Sequence, residues 1–151
     1  MKIEKKITDA CNYGDKRNTG DIKYVVLLDL GERPTPHYHV CGDKVYQIVP
    51  DNMMSATVNG ARLSKDGVYH GICTKYNSVS IGINNNLSDK DSELCLHLIM
   101  TLLQRYDLRP DDVIRLKDIT GEISPEIWED NNKWTDDVIN KLNDMLNPIR
   151  A

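Results

Sequence analysis

The sequence predicts an α/β domain in which helices flank a mixed central β-sheet. Most of the short segments typical of strands lie in the first half of the chain, and a long segment with helical spacing follows them. A short strand candidate and a last helix come after that. The length of 151 residues is typical of one domain. We therefore expect a single domain over 1–151, with an irregular lead-in over 1–21 where Gly14 and Gly20 interrupt any pattern.

Five segments carry the apolar, β-branched and aromatic residues typical of strands: 23–28, 37–40, 44–49, 79–83 and 113–114. The first is continuously apolar, which indicates a strand buried on both faces. The second and third flank Cys41-Gly42-Asp43, a sequence typical of a β-hairpin turn. The sheet is therefore expected to contain a hairpin.

Two segments have the spacing of helices. Ser88, with Asp91 three residues later, resembles a capping box, and apolar residues recur at helical spacing over 94–103. Residues 106–110 are expected to end this helix. The last helix is expected to begin at Thr135 as its N-cap.

Charge and composition exclude several partner classes. The formal charge of −4, without a basic cluster, argues against binding a nucleic-acid polymer, although a single small nucleotide stays possible. No apolar run reaches the ~20 residues that a membrane span needs. The first ten residues do not resemble a secretory signal, so we expect a cytoplasmic protein without a membrane partner. The cysteines are scattered without metal-type pairs and are expected to be reduced: Cys11, Cys41, Cys73 and Cys95.

The order of the segments resembles a known family. The segments that carry the resemblance are Ile22–Leu27, Pro36–Val40, Gly42–Gln47, Asn77–Ile83, Val113–Arg115 with Asp118–Gly121, and Asn132–Trp134. Asn77–Ile83 reads Asn-Ser-Val-Ser-Ile-Gly-Ile and matches a strand motif of that family. The family is that of the zinc-dependent N-acetylmuramoyl-L-alanine amidases, which share their fold with peptidoglycan-recognition proteins. The resemblance covers roughly the whole chain and implies the amidase fold.

The resemblance also implies where zinc would be held. These amidases bind zinc through two histidines and a cysteine or aspartate. The equivalent positions here, called the three ligand positions below, are Leu28, Leu116 and Ser124. Leucine has no lone pair, and a serine hydroxyl is a poor zinc ligand at neutral pH. We therefore expect no metal at these positions and no cofactor.

The helper groups of the reaction are replaced as well. By the resemblance, Asn84 stands where an acidic residue often lies, and an amide cannot act as a general base. Glu122 stands where some members have an oxyanion-stabilising lysine, which reverses the charge. The sequence therefore predicts a protein that is not an enzyme. The family's helix after the first core strand is shortened or missing here, since only a short turn with Gly31 and Pro34 separates Leu28 from His37.

Two functions follow from the resemblance. The first is a pseudoenzyme that binds a muropeptide-like ligand, another small polar ligand or a nucleotide in the former catalytic groove. The residues expected to line this groove are Leu28, Asp29, His37, Asn59, Asn77, Asn84, Leu116, Glu122 and Ser124. The alternative is a protein-interaction module, such as an inhibitor, regulator or immunity-type partner, possibly phage-encoded.

A third reading concerns His37, His39 and Cys41, which alternate along one strand and so share a face. An unrelated metal site with relocated chemistry could use this spacing. It is the least favoured reading, because three ligands on one straight strand seldom close a tetrahedron.

Overall fold

The computed structural model describes residues 1–10, 13–31, 35–58 and 60–147. Its centre is a six-stranded sheet with the spatial order β1-β4-β3-β5-β2-β6. The strands are β1 (Ile3–Lys5), β2 (Tyr24–Asp29), β3 (Tyr38–Cys41), β4 (Lys44–Gln47), β5 (Ser78–Ile83) and β6 (Val113–Arg115). The β3–β4 pair is antiparallel and the other pairs are parallel, so the predicted mixed sheet is confirmed.

The helices are α1 (Asp89–Tyr106), α2 (Lys117–Thr120), α3 (Asn131–Trp134) and α4 (Asn140–Leu146). A π-helical segment, Thr135–Ile139, joins α3 to α4, so 131–146 forms one continuous C-terminal helix. Short 3₁₀ turns lie at Thr19–Asp21, Ala56–Val58, Pro110–Asp112 and Glu126–Trp128. No helix among the described residues is long and apolar enough to cross a membrane. The described residues between β2 and β3, which are 30–31 and 35–37, contain no helix, as the sequence predicted.

The hairpin prediction is confirmed. Cys41 pairs with Lys44, so Gly42 and Asp43 form a two-residue turn. Both have positive φ (59° and 62°), the conformation of a type I′ turn, which suits the twist of the two strands. The Asp43 N–H donates to the Asp91 carboxylate (2.8 Å), which ties the turn to the start of α1.

The lead-in is more ordered than predicted. Ile3–Lys5 pairs in parallel with residues 45–47 and adds an edge strand to the sheet. Beyond this strand, the Lys6 N–H donates to the Gln47 carbonyl (2.8 Å), which extends the contact. The expectation of an irregular segment over 1–21 was therefore wrong for its first residues.

The two helix starts differ in how well they were predicted. Ser88 caps α1 through a hydrogen bond from the Asp91 N–H to its hydroxyl (3.0 Å), as predicted. The C-terminal helix begins at Asn131, with Asp130 rather than Thr135 as its N-cap. The Asp130 carboxylate accepts the Lys133 N–H (2.9 Å), whereas the Thr135 hydroxyl donates to the Asn131 carbonyl inside the helix (2.9 Å).

Apolar residues form two clusters, one on each face of the sheet. The helix-side cluster joins strand residues to α1 and the C-terminal helix, and includes Val25, Leu27, Tyr38, Ile81, Leu98, Leu102, Val138 and Leu142. The loop-side cluster consists of Val26, Leu28, Val58, Cys73, Ile114, Leu116 and Ile119. The second face is therefore covered by α2 and connecting segments.

The edge strand β6 has a local carboxylate partner. The Arg115 N–H donates to Asp118 Oδ2 (2.9 Å), and the Arg115 guanidinium donates to both oxygens of the same carboxylate (3.2 and 2.8 Å). Arg115 is only 5% exposed. The Asp118 side chain thus holds both the backbone and the side chain of the strand's last residue.

Candidate functional site

The candidate site lies on the sheet face that the long helices leave uncovered. Side chains alternate along a strand, so Leu27 joins the helix-side cluster and Leu28 the loop-side cluster. Leu28 pairs with Gly82, and Gly82 pairs with His39 on its other side. These three residues therefore form a row across the same face.

The three ligand positions meet at the carboxyl ends of β2 and β6. The Leu116 N–H donates to the Leu27 carbonyl (2.9 Å). The Asp29 N–H donates to Ser124 Oγ (3.0 Å), and the Lys117 N–H donates to the Ser124 carbonyl (3.0 Å). Each of these hydrogen bonds links two of the three ligand positions, either directly or through the residue next to one of them. Residues that lie far apart in the sequence are thus adjacent in the fold.

The residues at these positions do not fit a zinc ion. Leu28 and Leu116 are 1% and 0% exposed and belong to the loop-side cluster, so they present only hydrocarbon. The Ser124 hydroxyl is buried and already accepts the Asp29 N–H. A zinc site needs nitrogen, sulfur or carboxylate oxygen donors. Over the described ranges, no group of three His, Cys, Asp or Glu side chains is placed to hold a metal ion.

Two predicted carboxylates lie beside the ligand positions. Asp29 Oδ2 accepts the Glu126 N–H (2.9 Å), and Glu122 Oε1 accepts the Thr120 hydroxyl (2.9 Å). The Thr120 hydroxyl is also within 3.3 Å of the Leu116 carbonyl. Two acidic side chains therefore border the site.

Asn84 and Asn77, both predicted to line the groove, lie at opposite ends of β5. Asn84 directly follows β5 at the same end of the sheet and is exposed. Asn77 precedes β5, at the opposite end, where its carbonyl accepts the Lys23 N–H (2.8 Å). Its side-chain amide bonds to the Thr74 N–H (2.8 Å) and the Ile72 carbonyl (2.9 Å). Asn77 therefore stabilises a turn and does not line this site, contrary to the prediction. Asn59 lies outside the described residues.

His37 does not line the groove either, contrary to the prediction. It shares the predicted face with His39, but it is 1% exposed and is held by Ser80 and Met53 rather than open to a groove. Burial and the nearby Arg17 guanidinium lower its pKa to about 4, so it is neutral at neutral pH. His37 is therefore part of the folded interior.

Comparison with solved structures agrees with this architecture. A structure of PlyL matches with a TM-score of 0.70 and 18% identity, over 94% of this chain and 97% of that one. The PlyG catalytic domain matches with a TM-score of 0.71 and 19% identity, over 95% and 94%. N-acetylmuramoyl-L-alanine amidase LysC from Clostridium intestinale matches with a TM-score of 0.58 and 13% identity, over 83% and 89%. This chain has the amidase fold. No protein-family model and no curated protein match the sequence.

The structural role of Arg17 in this amidase-fold domain could not be predicted from the sequence. It is 5% exposed, and its guanidinium donates to the carbonyls of Asp51 (2.8 Å), Lys75 (3.1 Å) and Tyr76 (3.2 Å), and also to that of Ser78. It lies in the lead-in, where no local pattern distinguishes it from the exposed cations around it. Arg17 thus joins the lead-in to the segments that cover the loop-side face.

Two cavities lie near the site. One of about 590 Å³ runs along β6, with Tyr69, Arg115 and Trp134 in its walls. The other, of about 160 Å³, lies beside Leu28 and His39. The ligand positions themselves are packed, so binding on this face would use the neighbouring spaces.

Proposed function

We propose that this protein is a catalytically inactive homologue of the N-acetylmuramoyl-L-alanine amidases that binds a ligand in the former catalytic groove. One observation carries the proposal: the three ligand positions lie together in the amidase fold, and two leucines and a hydrogen-bonded serine occupy them. A hydrolytic role would need a metal-polarised water at this place.

The chemistry around these positions supports the loss of hydrolysis. Two buried aliphatic side chains replace two imidazoles, and the adjacent Glu122 is negative where the developing oxyanion of an amide hydrolysis would need stabilisation. Asn84 offers an amide, which cannot accept a proton from water. The residues of the site thus suit binding better than catalysis.

Rebuilding the metal site tests this proposal. The Leu28→His/Leu116→His/Ser124→Asp variant is expected to bind stoichiometric zinc by elemental analysis, because its three side chains converge. The natural protein is expected to bind far less zinc and to release no product from peptidoglycan. A matched control moves one histidine by two residues on the same face, as Val26→His/Leu116→His/Ser124→Asp, and should not restore the site. Zinc-dependent hydrolysis by the natural protein would contradict the proposal.

The ligand is the second part of the proposal. The exposed Asn84 and the carboxylates Asp29 and Glu122 provide polar groups at the edge of the packed positions. We propose a muropeptide-like ligand, another small polar molecule or a nucleotide. Thermal-shift and calorimetric titrations with muropeptides and nucleotides test this, and no binding in either panel would count against a groove ligand.

A protein-interaction role is the alternative, and exposed aliphatic residues favour it. Leu63, Val68, Ile72 and Ile123 are 67%, 61%, 55% and 57% exposed, on segments that adjoin the loop-side face. Exposed apolar side chains that cluster on one surface are typical of interaction sites. A partner bound there should be lost on Leu63→Asp and retained on Leu146→Asp, which changes an exposed leucine at the end of the C-terminal helix. Co-purification from the native host is the measurement, and equal recovery with both variants would contradict this role.

A further inference from the structure

A cavity of about 590 Å³ runs along β6, the last strand of the sheet, between residues 65–69 and the C-terminal helix. Val68, Val113 and Ile139 provide its aliphatic surface, and Tyr69 and Trp134 add two aromatic side chains. Ligand sites commonly enclose roughly 300–1,000 Å³ and combine apolar walls with a few polar groups. None of the three ligand positions lines this cavity, so it is a separate candidate site.

An unusual helical turn forms one wall of the cavity. The π-helical segment Thr135–Ile139 follows Trp134 directly, and Trp134, Thr135 and Ile139 all line the cavity. Turns of π-helix are rare, and those inside α-helices frequently occur at functional sites. The C-terminal helix thus departs from α-helical geometry where it borders this space.

Trp134 supplies a hydrogen-bond donor that the fold does not use. Trp134 is 6% exposed, and within the described ranges its indole Nε1 has no hydrogen-bond partner, whereas Nε1 of Trp128 donates to Asp137 (3.1 Å). Trp134 Nε1 is nevertheless not one of the polar atoms that are sealed from solvent without a partner. It therefore reaches accessible space, and because Trp134 lines the cavity, its N–H is available to a ligand there.

The other polar groups restrict the chemistry of that ligand. The side chains that line the cavity carry equal numbers of positive and negative charges, on Lys65, Arg115 and Lys117 and on Asp66, Asp111 and Asp118. The Arg115 guanidinium already makes five hydrogen bonds within the protein, so it has no donor left for an anion. An indole N–H can only donate. The cavity therefore favours a hydrogen-bond acceptor without a net charge.

We propose that this cavity binds a compact, uncharged ligand with an apolar ring, and that the Trp134 indole N–H donates to a carbonyl oxygen of that ligand. The aromatic and aliphatic walls favour the ring, and the unused indole donor favours the carbonyl. The inference goes beyond the proposed function, because it assigns a second binding site at the edge of the sheet.

Benzamide and benzamidine are matched probes, because they share a ring and a shape, and only benzamide has an acceptor oxygen. The chain contains two tryptophans, so the full ¹⁵N-labelled protein gives two indole N–H signals in NMR spectra. Benzamide is expected to shift the Trp134 signal saturably and to leave the Trp128 signal, whose N–H is bound to Asp137, nearly unchanged. Benzamidine is expected to bind roughly tenfold more weakly, because the hydrogen bond is lost. No saturable shift of the Trp134 signal with benzamide, or equal affinity for both probes, would overturn the proposal.

Phenylalanine variants assign the two indole signals and test the donor itself, with the Tyr69 amide as the signal that is followed. Trp134→Phe keeps an aromatic ring but removes the N–H, and should weaken benzamide binding roughly tenfold. Trp128→Phe makes the same change at a residue that does not line the cavity, and should leave the affinity unchanged. Equal benzamide affinity in Trp134→Phe and the natural chain would contradict the assignment. If Trp134→Phe does not fold, the comparison of the two probes on the natural chain still decides.

Discussion

His37 lies between two backbone groups of opposite hydrogen-bonding character. Its Nδ1 is within 3.1 Å of the Ser80 N–H and must accept, while its Nε2 is 2.8 Å from the Met53 carbonyl and must donate. These two contacts favour the neutral tautomer with the proton on Nε2, whereas Arg17 Nη2, a donor 3.1 Å from the same nitrogen, favours the other neutral tautomer. A second proton would face the Ser80 N–H, and it would add a positive charge 3.1 Å from the Arg17 guanidinium. Protonation of His37 at low pH is therefore expected to destabilise the folded state.

The free energy of unfolding should depend on the protonation of His37. Its pKa is about 4 in the folded chain against an ordinary value of 6.5, so the unfolded chain binds the proton first. The contribution to stability is therefore complete above pH 6.5 and is lost as the pH falls toward 4, by about 3 kcal/mol in total. Urea unfolding at pH 7 and at pH 4.5 measures this loss. His37→Asn should lose less stability between the two pH values than His97→Asn, and equal losses would refute the assignment.

The first turn of the C-terminal helix is held in place by a contact between two tryptophans. Its first turn begins after Asp130, and Trp134 is 6% exposed and packs edge-on against Trp128 (5.6 Å between ring centroids). This contact holds the first turn against the 3₁₀ segment that precedes it. A start at Thr135 would leave that turn without its hydrogen bonds.

Two alanine variants distinguish these helix starts. Asp130→Ala should lower the free energy of unfolding by about 1 kcal/mol, because the Lys133 N–H loses its acceptor. Thr135→Ala should change it by less than about 0.5 kcal/mol, since Thr135 lies within the helix and alanine is the better helix former. Chemical denaturation measures both. A larger loss for Thr135→Ala would favour the start predicted from the sequence.

The elements that could be predicted carry an apolar run or repeat, or flank a recognisable turn sequence as β3 and β4 do. The strands at 24–29 and 78–83 and helix α1 carry such patterns over six or more residues. β1 could not be predicted, because Ile-Glu-Lys is too short to show a period and forms a strand through its pairing with β4. The N-cap was misplaced because both Asp130 and Thr135 are good capping residues, and only tertiary packing chooses between them.

The site was predicted through resemblance rather than spacing. Leu28, Leu116 and Ser124 come from two strand ends and a turn, and their adjacency depends on the strand order. Asn77 was placed in the groove by its position in the resemblance, and His37 by a strand pattern that gives a face but not the hydrogen-bond partners.

At the scale of the whole molecule, the loop-side cluster joins parts of the chain that are distant in sequence. It links β2 and β6 to Val58, Cys73 and Ile119, all of them at most 8% exposed. An open metal site would leave this face more polar and hydrated. Here the leucines at the ligand positions add apolar burial, which is the main favourable term in folding.

Leu28 and Leu116 should therefore contribute to the stability of the entire domain. Leu28→Ala is expected to lower the free energy of unfolding by about 3 kcal/mol through lost burial and a cavity. Leu63→Ala, at a 67% exposed position, should change it by less than about 0.5 kcal/mol. The double variant Leu28→Ala/Leu116→Ala should deviate from additivity if the two side chains share the cluster. Additive losses in urea unfolding would show that they act separately.

The carboxylate of Asp118 also occupies one backbone donor at the edge of the sheet. An incoming strand needs backbone amides to pair with, and the amide of Arg115 is already taken at the outer margin of β6. A strand that approaches this margin meets an amide already bonded to a carboxylate, which is itself paired with the Arg115 guanidinium. The contact thus removes one backbone donor from the outer edge of β6, a feature that disfavours pairing with a strand from another copy of the domain.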